Sequence, residues 1–190
     1  DGSRLAVGWF DGRVDLCDVP NRRLLRALTD RERPYQGRVA FSPVRNALAA
    51  TSEPGTVTLY DLDAGQESVL WRAPNPGPGI VRDLSFSADG SKAVIYAGSP
   101  TSVPGGPAAS LSDCVWIVNV ASGTIESQYP AGYAATFHFG AARLSPDQRR
   151  LYLARGDSAN YRYDIQCLDL ATGGEIWHTE AQRDFGLTTL

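Results

Sequence analysis

Two short sequence patterns recur four times along the chain in the same order, and this repetition constrains the fold more than any other feature. The first pattern is an apolar run followed by a serine and a turn, as in Leu84–Gly90 and Ala142–Asp147. The turn positions taken as equivalent lie 43, 45 and 58 residues apart: Asp1, Val44, Asp89 and Asp147. Spacing of this size indicates a repeated structural unit.

The second pattern is a β-rich run that ends in Asp or Asn plus an aliphatic residue and leads into a turn. Its four copies keep their place relative to the first pattern: Val14–Val19, Val57–Leu62, Val115–Val120 and Ile165–Leu170. Two patterns that hold register through four copies are hard to obtain by chance. The chain is therefore expected to contain about four copies of one unit.

Each unit is expected to form four short strands separated by turns. Pro54-Gly55 supplies the turn between the second and third strands in one copy, and Asp11-Gly12 supplies it in another. No helical periodicity is long enough to cross between parallel strands, which excludes α/β folds, and a β-sandwich would not repeat one pattern at this spacing. The sequence predicts an all-β fold, a β-propeller of four-stranded antiparallel blades.

The repeats resemble those of WD-repeat propellers along essentially the whole chain. The matching residues are the Phe-Ser-Pro/Ala-Asp-Gly turn and the end of the third strand, where Tyr60-Asp61 stands in place of the family's Trp-Asp. The equivalent pairs in the other copies are Cys17-Asp18, Val118-Asn119 and Leu168-Asp169. No copy has the Gly-His pair of the strict family before its first strand, so its buried His–Asp network is not expected. The resemblance is to a divergent, bacterial-style member.

The last copy also resembles a second propeller family. Asp169–Trp177 is similar to the Asp-x-x-Thr-Gly-x-x-x-Trp motif of quinoprotein propellers, whose tryptophan docks between neighbouring blades. The positions equivalent to Trp177 are Ser127 and Val69, so the motif is not sustained. The resemblance implies structural docking by Trp177 rather than a quinone site.

The register of the repeats also predicts how the chain is divided. The expected segments are an incomplete blade at 1–30, a blade at 31–73, a blade at 74–129 with an insertion at 99–113, a blade at 130–180, and the first strand of a further blade at 181–190. This division predicts a fragment of a larger ring. A closed four-bladed ring is the alternative.

The connections between blades are expected to bind partners, because in propellers they cluster on one face. Two connections carry arginine and aromatic residues, the types that dominate binding hot spots. The candidates are Arg31, Arg33, Tyr35, Tyr133, Phe137 and His138. The alternative is that the aromatic rings pack under their own loops and the arginines are solvated. The Pro/Gly/Ser-rich insertion at 99–113 is expected to be an exposed loop, serving recognition or simply tolerated.

Composition excludes several classes of partner. The net charge is -3 and no basic stripe with interleaved aromatics occurs, so nucleic-acid binding is not expected. No apolar run approaches the roughly 18 residues that cross a bilayer, so no membrane partner is expected either. Cys17, Cys114 and Cys167 include no CxxC pair and are expected to be free thiols, which favours a cytoplasmic protein.

The sequence contains no recognisable catalytic constellation. Its two histidines, His138 and His178, are 40 residues apart, and it has no Gly-x-Ser-x-Gly elbow, no phosphate-binding glycine loop and no His-Glu-x-x-His. No metal or cofactor is therefore expected. The predicted function is a non-catalytic scaffold that binds other proteins. The alternative is the propeller of an enzyme, either a quinoprotein-type dehydrogenase or the accessory propeller of a hydrolase.

Overall fold

A computed structural model of the chain describes residues 2–29, 37–74, 80–98, 114–130, 138–157 and 162–182, with the backbone alone at 138–139, 155–157, 162–163 and 181–182. The regular structure in these ranges is fifteen β-strands in four antiparallel sheets. Within each sheet the strands follow one another in chain order. None of the described residues belongs to a helix that is long and apolar enough to span a membrane.

The first sheet has three strands, and the other three sheets have four strands each. The first sheet comprises β1 (Arg4–Gly8), β2 (Val14–Asp18) and β3 (Arg23–Thr29). The second comprises β4 (Val39–Phe41), β5 (Ala47–Glu53), β6 (Thr56–Asp61) and β7 (Glu67–Arg72). The third comprises β8 (Ile80–Phe86), β9 (Lys92–Gly98), β10 (Cys114–Asn119) and β11 (Ile125–Pro130). The fourth comprises β12 (His138–Leu144), β13 (Arg150–Asp157), β14 (Arg162–Asp169) and β15 (Glu175–Gln182).

The recurring Asp or Asn of the second pattern closes the turn that leads into the outermost strand. The Oδ1 atom of Asp61 accepts hydrogen bonds from the backbone N–H groups of Asp63 (2.9 Å) and Ala64 (2.8 Å). Asn119 and Asp169 make the same pair of bonds in the third and fourth sheets. The bonds require a short side chain that carries an oxygen acceptor, so Asp and Asn serve equally well at this position.

The serine of the first pattern organises the turn that follows the innermost strand. The Ser87 hydroxyl donates to Oδ1 of Asp89 (2.7 Å) and accepts a hydrogen bond from the backbone N–H of Lys92 (2.9 Å). Ser145 makes the corresponding bonds to Asp147 and from Arg150. Both patterns are therefore turns in which a side chain completes the backbone hydrogen bonding.

Alternate residues of an interior strand face opposite neighbouring sheets. On β9, Ala93, Ile95 and Ala97 pack against the second sheet, whereas Val94 and Tyr96 pack against the fourth. All five side chains are at most 2% exposed. A further cluster joins the first sheet to the second. Because both faces of an interior sheet are buried, its strand sequence is apolar at successive positions instead of alternating.

The predicted all-β propeller of antiparallel blades is confirmed. The innermost strands of neighbouring sheets adjoin, since β4 contacts β8 and β8 contacts β12, as blades do around a propeller axis. The exact limits of the predicted segments stay a prediction. The insertion at 99–113 and residues 183–190 lie outside the described residues.

Candidate interaction surface

The described residues that follow β1 and precede β4 lie side by side at one edge of the sheets, and so do those that follow β7 and link β5 to β6. The backbone N–H of Gly37, just before β4, donates to the carbonyl of Trp9, just after β1 (2.8 Å). In the second sheet the N–H of Ala73 donates to the carbonyl of Gly55 (2.8 Å). We call this edge the rim, and its described residues are Trp9–Arg13, Gly37–Arg38, Gly55 and Ala73.

Most of the predicted binding residues lie outside the described part of the chain: Arg31, Arg33, Tyr35, Tyr133 and Phe137. His138 is the first residue of β12, where its backbone pairs with that of Asp157, and its side chain is not described. A binding role for these six residues therefore stays a prediction.

The turn between β1 and β2, residues Trp9–Arg13, presents two aromatic side chains that sequence reasoning missed. Phe10 at its tip is 78% exposed, more than any other large hydrophobic side chain in the described ranges, and Trp9 is 44% exposed. The signal that could have found them is the Trp-Phe pair beside Asp11-Gly12, because turns favour polar residues and glycine. We call residues 9–13 the aromatic turn.

Hydrogen bonds and a ring contact hold the aromatic turn in one conformation. The Trp9 indole N–H donates to Oδ2 of Asp15 (2.7 Å), and the Arg13 guanidinium lies 5.5 Å from the centre of the Trp9 ring. Asp11 accepts hydrogen bonds from the backbone N–H of Arg13 (3.1 Å) and from its Nε (2.8 Å). These bonds, the backbone one foremost, lower the pKa of Asp11 from its ordinary value. Gly12 supplies the left-handed conformation that the turn requires, with φ 86°.

Both ends of the first blade connection, residues 30–36, are attached to the aromatic turn. Before the connection, the Thr29 hydroxyl donates to the carbonyl of Gly12 (3.1 Å). After the connection, the Gly37 N–H donates to the carbonyl of Trp9. The two described residues that flank this connection, Thr29 and Gly37, are therefore both hydrogen-bonded to the aromatic turn.

A second group of charged side chains lies where the innermost strands adjoin. Asp83 on β8 accepts a hydrogen bond from the backbone N–H of Ala142 on β12 (2.8 Å) and pairs with the guanidinium of Arg143. Arg82 occupies a bulge in β8 beside Asp83. Burial lowers the pKa of Arg38, which precedes β4; Asp83 opposes this effect and Arg82 adds to it. Asp83 thus joins two blades and lies among three arginines.

The described residues contain no group of three or more His, Cys, Asp or Glu side chains that could hold a metal ion. His178 is exposed on β15, where its Nδ1 lies 2.6 Å from Oε1 of Glu175, and this hydrogen bond raises the pKa of the imidazole. Cys17, Cys114 and Cys167 form no disulfide bonds among the described residues. The rim presents two aromatic rings, Trp9 and Phe10, and the guanidinium group of Arg13.

The chain is similar in fold to solved β-propellers. No protein-family model and no curated protein matches the sequence. A propeller chain in the crystal structure of a mitotic checkpoint complex is similar, with a TM-score of 0.65 and 20% sequence identity. The match covers 94% of this chain and 49% of that chain, so this chain spans about half the length of the structure that it matches. A likeness at this identity shows the fold alone, and the four-stranded antiparallel sheets fit a WD-repeat-like propeller.

Proposed function

We propose that this chain is a non-catalytic interaction module that binds other proteins through its rim, with Phe10 as the main contact residue. The observation that carries the proposal is the 78% exposure of Phe10 on a turn that is already ordered. Burying a phenylalanine side chain stabilises a complex by about 1.5–3 kcal/mol. A turn that is ordered before binding loses little conformational entropy, so most of that free energy remains available for affinity.

The surroundings of Phe10 support the same proposal. Binding hot spots are enriched in Trp, Tyr and Arg, and Trp9 and Arg13 flank Phe10 in the aromatic turn. The adjacent connection at 30–36 adds two further arginines and a tyrosine. The similar propeller chain comes from a checkpoint complex of proteins, which agrees with an interaction role.

The test is to replace Phe10 with a photo-reactive phenylalanine analogue, identify the cross-linked protein, and then measure its affinity for unlabelled variants by calorimetry. Phe10→Ala should weaken binding by about 10- to 100-fold, which corresponds to the free energy of burying the ring. Phe41→Ala is the matched control, because Phe41 is 41% exposed at the far end of β4 and should leave affinity unchanged.

Equal affinity of Phe10→Ala and the parent chain for the cross-linked partner would contradict the role of the rim. Turnover of an alcohol by the purified chain with an artificial electron acceptor would contradict a non-catalytic role. The proposal includes a cytoplasmic location, because a reducing compartment keeps cysteines out of disulfide bonds, and none of the three described cysteines forms one.

A further inference from the structure

The Arg13 side chain of the aromatic turn has hydrogen-bond donors that the fold does not use. A guanidinium group carries five N–H donors, and the one on Nε of Arg13 donates to Oδ2 of Asp11 (2.8 Å). Among the described residues, none accepts a hydrogen bond from Nη1 or Nη2 of Arg13, and this side chain is 44% exposed. The remaining donors are therefore available to a binding partner at the rim.

The guanidinium group of Arg13 is held in one orientation. It lies 5.5 Å from the centre of the Trp9 ring, and Trp9 is itself fixed by its hydrogen bond to Asp15 (2.7 Å). Asp11 accepts hydrogen bonds from both the backbone N–H and the Nε of Arg13, so one carboxylate anchors its main chain and its side chain. Because the group is oriented before binding, little side-chain entropy is lost when an acceptor approaches Nη1 and Nη2.

The two carboxylates of this region already accept hydrogen bonds within the fold. Asp11 accepts from Arg13 through both of its oxygens, and Asp15 accepts from the Trp9 indole. The bonds from Arg13 lower the pKa of Asp11, so this carboxyl group is ionised at neutral pH. Two carboxylates near one guanidinium group favour a singly charged acceptor over a doubly charged phosphate group. The acceptor that best fits Nη1 and Nη2 is therefore a further carboxylate.

We propose that the protein bound through Phe10 presents an Asp or Glu carboxylate to Nη1 and Nη2 of Arg13, beside the apolar surface that receives the Phe10 ring. This inference rests on the proposed function and adds the chemistry of the partner to it. A guanidinium group binds a carboxylate through two parallel hydrogen bonds. The contact at Arg13 therefore fixes the orientation of the partner, while burial of Phe10 supplies apolar contact.

The test measures, by calorimetry, the affinity of variants for the protein that cross-links at position 10. Arg13→Gln should weaken binding by about 5- to 20-fold, because it removes the charged donors. Asp11→Asn should instead strengthen binding by about 2- to 5-fold, since asparagine keeps an acceptor for the Arg13 backbone N–H but adds no charge that repels the carboxylate of the partner. Arg45→Gln is the matched control: it removes the same charge from an exposed arginine beyond the far end of β4 and should leave the affinity unchanged.

The opposite signs of the two effects separate a contact with the partner from a structural role. If Arg13 only held the turn in shape, Asp11→Asn would weaken binding as Arg13→Gln does, and that result would overturn the proposal.

The partner supplies the second half of the test. Its Asp and Glu residues beside the cross-link are replaced one at a time by Asn and Gln, and one replacement should weaken binding to the parent chain but not to Arg13→Gln. Absence of such coupling would overturn the proposal, and so would a loss of affinity after phosphatase treatment of the partner.

The variant Phe10→Ala distinguishes this proposal from the proposed function. Weaker binding of Phe10→Ala together with unchanged binding of Arg13→Gln would overturn the carboxylate contact alone. Unchanged binding of Phe10→Ala, or no cross-linked protein at position 10, would overturn the proposed function itself and this inference with it.

Discussion

One turn position has a left-handed backbone in all four sheets, and in one sheet it is not occupied by glycine. In the turn that precedes the outermost strand, Gly65, Gly123 and Gly173 have φ values of 67°, 69° and 70°. Arg22 occupies the same position in the first sheet with φ 51°. A side chain with a Cβ atom costs about 1 kcal/mol in this conformation, whereas glycine adopts it freely. Arg22 is therefore a point of local strain.

Arg22→Gly should raise the free energy of unfolding by about 0.5 kcal/mol, because relief of about 1 kcal/mol of strain exceeds the cost of the added flexibility of the unfolded chain. The measurement is urea denaturation followed by tryptophan fluorescence. Gly123→Ala is the reciprocal variant and should lower the free energy of unfolding by about 1 kcal/mol, since it places a Cβ atom at φ 69°. A less stable Arg22→Gly chain would contradict this account of the turn.

At the scale of strands, side chains complete hydrogen bonding where no further strand pairs. Ala142 lies on β12, which pairs only with β13 among the described strands. Its backbone N–H donates to Asp83 (2.8 Å), and its carbonyl accepts a hydrogen bond from the Ser85 hydroxyl (2.9 Å). Two side chains of β8 therefore satisfy the inner edge of the next blade and set the position of one blade relative to the other.

Asp83→Ala should lower the free energy of unfolding by about 1.5–3 kcal/mol, because it removes charge-assisted hydrogen bonds and leaves the Ala142 N–H without its acceptor. Glu67→Ala is the control, since the Glu67 side chain is 61% exposed at the sheet edge and its removal should change stability by less than about 0.5 kcal/mol. Both values come from urea denaturation at neutral pH. Equal stability of the two variants would contradict a stabilising contact between the blades at Asp83.

The serine turns should make the protein sensitive to acid. Hydrogen bonds from Ser87, and then from Ser91, lower the pKa of Asp89, and Ser145 does the same for Asp147. A carboxyl group with a lowered folded-state pKa stabilises the fold above its unfolded pKa of about 3.9, and this contribution disappears as the pH falls toward the folded-state pKa. The free energy of unfolding should therefore decrease as the pH is lowered below about 4.

The variant Asp89→Asn tests the origin of this acid sensitivity. Asparagine keeps an oxygen acceptor for the turn but has no proton to gain, so the variant should lose less stability than the parent chain between about pH 5 and pH 3. Urea denaturation at a series of pH values measures the difference. Parallel pH profiles for the two chains would show that the Asp89 carboxylate does not contribute.

At the scale of the whole molecule, stability comes from sheets that are buried on both faces. Ile95 packs against the second sheet and Val94 packs against the fourth, and both side chains are at most 1% exposed. Each interior blade therefore belongs to two apolar clusters at once. The architecture depends on contacts between neighbouring blades rather than on one central core.

Ile95→Ala should lower the free energy of unfolding by about 2–5 kcal/mol, because it removes buried methyl groups and leaves a cavity between two blades. Val69→Ala is the control for a residue that is 48% exposed, and it should change stability by less than about 0.5 kcal/mol. Thermal and urea denaturation measure both variants at one protein concentration. An unchanged free energy of unfolding for Ile95→Ala would contradict tight packing between the second and third sheets.

The candidate site was less predictable than the fold. The sequence predicts contact residues in the first blade connection, and this stays a prediction because those residues lie outside the described ranges. Sequence reasoning missed Phe10 because Asp11-Gly12 identifies a turn without showing how far a neighbouring ring projects from it. Exposure of Phe10 depends on which residues surround the turn, and those residues are distant in sequence.

The sequence by itself determined the strands, their turns and the propeller class. Turn residues such as Asp61 and Ser87 form hydrogen bonds with backbone groups only a few positions away, so the local sequence is enough to identify the turns. Apolar residues at successive positions of a strand likewise indicate burial on both faces of its sheet. Only the tertiary structure decided that Gly37 adjoins Trp9 and that Asp83 reaches Ala142. Such contacts join residues that are far apart along the chain, and they form only when the blades stack and bring those residues to one edge.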